Sequence, residues 1–232
     1  MKTIGIIGGL GPDTTAKFYL GLIAACRARN PEAYPSVVIH SIPHPRAIEN
    51  AAILRGEEQD MAPYLAYLVE SAKLLEKAGA DFGVIACNTV HVFIDEIRKS
   101  VHMPFLSIIE AAAAQVAEEK KKRIGLLATR YTVSSGMYTR EFAKYDSAVV
   151  TPDVEDQTAL SEIIVRILHG VNTREDKERI ISMVKNLEKR GAESLILGCT
   201  DLQLVVNEKD FSIPVVDTTE SLIKVSTESI FT

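Results

Sequence analysis

Leu75–Thr89 reads LEKAGADFGVIACNT, and Leu187–Asp201 reads LEKRGAESLILGCTD, an offset of 112 residues. Each run ends a helical pattern on a glycine, passes through a short apolar stretch and reaches a cysteine followed by a polar pair. A glycine there supplies the left-handed helix cap that returns the chain to a sheet. Two further matches keep the same order. KTIGIIGG at Lys2–Gly9 pairs with KRIGLLAT at Lys122–Thr129, and MPFLSIIE at Met103–Glu110 pairs with IPVVDTTE at Ile213–Glu220, at offsets of 120 and 110. Self-similarity at a nearly constant period marks a repeated structural unit.

Outward from these runs, Val- and Ile-rich stretches alternate with helical patterns along the whole chain, as buried parallel strands do. The expected strands are Thr3–Ile7, Val37–Ile42, Phe82–Cys87, Phe105–Ile109, Ile124–Ala128, Ala148–Thr151, Ser194–Cys199 and Val215–Asp217. Fold class is therefore α/β, in two similar halves of four strands about an approximate two-fold axis. No Gly/Ser- or Pro-rich linker separates the halves, so they are expected to pack closely around a cleft.

Composition narrows the function. The chain has 232 residues, 47% of them hydrophobic and 25% charged, with a net charge of −5. That is the balance of a globular protein, without the basic excess that a phosphate backbone requires. The basic run Lys120–Arg123 reads as a solvated loop. No stretch approaches the roughly 20 apolar residues of a membrane span. Three cysteines without close spacing read as free thiols of a reducing compartment, so the expected location is cytoplasmic.

Cys87 and Cys199 stand at equivalent places, where the carboxyl ends of parallel strands meet the free N–H groups of the next helix. That position is expected to lower a thiol pKa. Inverting a carbon centre requires a base on one face and an acid on the other, and a symmetric pair of thiols supplies both. Cys26 has no partner in the other half and is assigned to packing. Asn88 and Thr89, mirrored by Thr200 and Asp201, are read as carboxylate donors as well as helix caps. Gly9, in a cluster that lacks the G-x-G-x-x-G spacing, is read as backbone approaching the substrate. Arg46 follows a strand end and suits a carboxylate. His91, one helical turn after Cys87, is one ligand too isolated for zinc, and no metal is expected.

GGLGP at Gly8–Pro12, ACNTVH at Ala86–His91, ATRYTVSSGMY at Ala128–Tyr138 and GCTD at Gly198–Asp201 resemble, in order and spacing, the aspartate/glutamate racemase family, closest to aspartate racemase. The resemblance implies two flavodoxin-like domains, residues 1–102 plus 215–232 and residues 103–214, the first discontinuous. It implies an isomerase that interconverts L- and D-aspartate, with glutamate as the second candidate substrate, without pyridoxal phosphate or any other cofactor. Cys87 and Cys199 would be the acid/base pair, with Thr132 on the substrate carboxylate and the protein a homodimer. Asp201 departs from the glutamate usual at that position, and Asn172 stands where some members carry a substrate-clamping lysine. A dicarboxylate isomerase or decarboxylase of the same superfamily, and a non-catalytic two-domain anion binder, are the alternatives.

Overall fold

The central strands are short and sealed. The computed structural model describes residues 1–232 and places two four-stranded parallel sheets, ordered β2-β1-β3-β4 and β6-β5-β7-β8. The strands are β1 (Ile4–Gly8), β2 (Val37–Ser41), β3 (Phe82–Ile85), β4 (Phe105–Leu106), β5 (Arg123–Leu127), β6 (Ala148–Val150), β7 (Ser194–Leu197) and β8 (Val215–Asp217). The helices are α1 (Pro12–Arg29), α2 (Arg46–Leu54), α3 (Glu58–Lys77), α4 (Ile94–Ser100), α5 (Ile108–Glu118), α6 (Arg130–Ser134), α7 (Met137–Ala143), α8 (Val154–Leu168), α9 (Arg174–Lys189) and α10 (Thr218–Ile230). Ile4, Ile6, Ile7, Val84, Ile85, Ile124, Leu195 and Ile196 are fully buried, as strands covered on both faces require.

The duplication extends to side-chain packing. A Cβ on Gly5 would meet Ala80 and Leu75 at 3.0 and 3.1 Å, and one on Gly125 would meet Leu187 and Ala192 at 3.3 and 3.4 Å. Both glycines let the helix that leads into the neighbouring strand, α3 or α9, and its turn lie directly on the sheet. Asp81 accepts the Thr3 N–H, while Glu193 accepts those of Lys122 and Arg123, so one acid in each half ties the helix turn to the start of the central strand. Gly79 and Gly191 adopt φ of 88° and 89°, the left-handed caps read from the sequence.

Strand ends and domain boundaries differ from expectation. The chain leaves β3 at Ile85 and β7 at Leu197, so each cysteine lies two residues beyond its strand, and β4 stops at Leu106 because Ser107 caps α5. β4 pairs with β3, and β8 with β7. The strand of the segment 215–232 therefore joins the second sheet, and β4, expected with the second domain, joins the first. What the halves exchange is the next helix: α10 packs on α1, and α5 on α7. The cause is a shared core. Phe18, Leu22, Ile108, Ile124, Tyr138 and Ile223 belong to one cluster of 24 buried residues drawn from both halves. The outer faces carry separate clusters of 15 and 17 buried residues. No helix is long and apolar enough to cross a membrane.

Candidate active site

Between β3 and α4 the chain makes a three-ten turn at Thr89–Phe93, and after β7 it repeats the turn at Thr200–Leu204. Cys87 and Cys199 precede these turns. Both line one cleft of about 470 Å³, including its open mouth, together with Asn88, Thr89, Thr129, Thr200, Asp201 and an apolar wall. Cys87 is half-buried and Cys199 is 6% exposed.

Each turn is tethered to the helix after the neighbouring strand. His91 Nδ1 lies 2.6 Å from the Cys87 carbonyl, and its Nε2 accepts the Ile108 N–H at 3.2 Å. Those partners fix the neutral tautomer with the proton on Nδ1, and burial pushes the ring pKa down to about 4. His91 therefore braces the backbone of Cys87, with both ring nitrogens occupied. At the equivalent place Gln203 donates to Asp217 at 2.5 Å and to Thr219 at 3.1 Å, securing the Cys199 turn to the start of α10.

The thiols do not have the lowered pKa expected of a helix start. The Val90 and Thr89 N–H groups favour a Cys87 thiolate, but desolvation outweighs them, the Asp201 and Glu49 charges add to it, and the pKa rises to about 12. Burial and then Asp201 likewise raise Cys199. Removing a charge from water costs more than a few short-turn amides return. Asp201 is the group that meets this proton. Cys199 Sγ donates to Asp201 Oδ2 at 3.7 Å, and Thr14 Oγ1 donates to Oδ1 at 2.7 Å. Burial raises the Asp201 pKa to about 6. Gly11 leaves room for it, since a Cβ there would lie 2.9 Å from Oδ1.

Other expected site residues divide. Thr89 lines the cleft, its hydroxyl 3.1 Å from that of Thr129 across the two halves. Thr200 lines it as well. Thr132 lies behind, fully buried, 2.9 Å from Thr129 Oγ1 and outside the lining, so the hydroxyl that faces the cleft from that turn is Thr129. Asn88 borders the cleft but accepts from Tyr138 at 2.6 Å and donates to Thr218 at 3.1 Å, joining three elements rather than awaiting a ligand. Gly9 packs against the chain after β2: with φ of 84°, an added Cβ would meet Ile42 N at 2.6 Å. Its close approach is to protein backbone, not to the cleft. Arg46 begins α2 exposed and outside the lining, and Asn172 is exposed. The sequence reading missed Glu49, one turn beyond Arg46 and turned into the cleft, and gave Asp201 no role beyond its departure from glutamate.

Comparison with known proteins places this geometry in context. A profile of the Asp/Glu/hydantoin racemase family matches residues 7–225. The broad specificity amino-acid racemase RacX of Bacillus subtilis is 28% identical over 225 residues, 95% of each chain. An aspartate racemase homologue from Pyrococcus horikoshii superposes with a TM-score of 0.80 at 31% identity over 100% of both chains. Picrophilus torridus aspartate racemase superposes with a TM-score of 0.81 at 29% identity, over 100% of this chain and 95% of that one.

Proposed function

Given that this chain belongs to the Asp/Glu/hydantoin racemase family, we propose that it racemises an amino acid without a cofactor, passing the α-proton between Cys87 and Cys199. The observation that carries the proposal is that both thiols open onto one cleft from equivalent turns of the two halves. One thiolate takes the α-proton from one face, and the opposite thiol delivers a proton to the other. In the reverse direction the roles exchange.

The thiol that acts as base must first be ionised. On the Cys199 side the proton passes to Asp201, whose carboxylate is ionised above about pH 6 and already accepts from the thiol. The substrate ammonium adds a positive charge to a site whose charged neighbours are Asp201 and Glu49, and so favours thiolate once it binds. Thr200, the Thr89–Thr129 hydroxyl pair and the turn N–H groups supply donors for the α-carboxylate and for the charge that develops on it. Thr132 acts through Thr129, and Arg46 and Gly9 take no part.

Aspartate is the substrate expected from the sequence; one structural neighbour is described as an aspartate racemase and another as an aspartate racemase homologue. Its second carboxylate would require a cation, and no Lys or Arg lines the cleft. Retention of both thiols favours racemisation over a decarboxylase, which needs a single protonating group. A cytoplasmic homodimer completes the proposal, and light scattering in solution reads the assembly. Cys87→Ser and Cys199→Ser are each expected to lower kcat/KM for racemisation by at least about 10³-fold, within the span of acid–base catalysis. Full activity in either variant contradicts the mechanism.

A further inference from the structure

Glu49, Ala52 and Ile53 fall on one face of α2 at helical spacing, and all three line the cleft. Ile164 and Leu168, one turn apart on α8, line it too. This wall is apolar apart from the Glu49 carboxylate. Its side chain is 18% exposed, and its sole polar engagement with the protein is His44, with Nε2 3.5 Å from Oε1. The His44 ring lies tilted against that of Tyr64, another lining residue, with the centroids 5.6 Å apart. His44 thus stands beside one oxygen without a formed hydrogen bond, and the other has no protein donor. Asp201 lies beside Cys199, and Glu49 stands on the wall formed by α2, near enough for its charge to act on Cys87 and Asp201.

A half-buried carboxylate in an apolar wall favours a ligand that brings a cation and repels one that brings a second negative charge. We propose that the cleft accepts an amino acid whose side chain carries methylenes ending in a cation, its stem against Ala52, Ile53, Ile164 and Leu168 and its charge on Glu49. Glu49 is then the residue that sets specificity, and aspartate and glutamate are poor substrates. This inference rests on the racemase reading above and sharpens its substrate class.

The test measures racemisation of L-lysine, L-norleucine and L-aspartate by the wild-type protein and by Glu49→Gln. Norleucine reproduces the lysine stem without its charge. The expected kcat/KM for lysine exceeds those for both others by at least tenfold, and Glu49→Gln lowers the lysine-to-norleucine ratio by at least tenfold, mainly through KM. A preference for aspartate or norleucine, or an unchanged ratio in a variant with wild-type circular dichroism, overturns the inference while leaving the racemase reading intact. Absence of both racemisation and solvent exchange at Cα with every probe overturns the two together. The wild-type ranking decides the matter even if the variant fails to fold.

Discussion

Desolvation acts against the thiols at the same place where chemistry needs them ionised, and the neighbouring carboxylate determines how that conflict resolves. Asp201 is held to about pKa 6 by burial, against its ordinary 3.8. A carboxyl raised in this way is protonated below pH 6 and loses its ability to accept from Cys199. The acid limb of kcat/KM is therefore expected near pH 6, with activity falling as pH falls through it. Asp201→Asn should remove that limb and lower the plateau by about 10²-fold or more, as a pH–rate profile would show. A limb that persists unchanged in Asp201→Asn would assign it to another group. At this scale the cysteines were legible because the same local context occurs twice, once around each of them. Arg46 and Glu49 were not separable, because the sequence fixes which residues share a helix face but not how that face is rotated toward the cleft.

The elements carry the site by holding two short turns in register, and they do it with local bonds rather than with regular structure. The His91 ring spans from the Cys87 carbonyl to the first turn of α5. His91→Ala leaves the Ile108 N–H without its partner, a loss of about 1–3 kcal/mol. It should lower kcat, because the turn it braces carries the thiol as well as substrate donors. Equal wild-type kcat in that variant, measured beside its denaturation midpoint, would remove the bracing role. Gly9→Ala places a side chain at φ 84° against Ile42, and its expected cost is on the order of 1–3 kcal/mol. All eight strands and both glycine caps followed from apolar runs bounded by turn residues. The final residues of those strands did not, since an apolar pair such as Ala86-Cys87 suits a buried turn as well as a strand.

Across the whole molecule, the two halves are bound by the helices they exchange and by a single core between the sheets. Tyr138, Asn88 and Thr218 link α7, the Cys87 turn and α10 through that core. Tyr138→Phe unpairs a buried Asn88 oxygen and should cost about 1–3 kcal/mol. Unfolding in denaturant should remain one transition that coincides by fluorescence and circular dichroism; two separated transitions would show halves that fold independently. The repeat gave the two-sheet plan, whereas the crossing of α5 and α10 depends on packing between distant segments, which pattern alone does not encode. The cleft exists because that packing brings Cys87 and Cys199 to a common space. The most direct test follows the first turnovers of the best L-substrate in D2O by chiral chromatography and mass spectrometry. Two opposed thiols predict a D-product carrying one deuterium at Cα while the remaining L-substrate stays unlabelled. Equal labelling of both enantiomers, the mark of a single base serving both faces, would contradict the account.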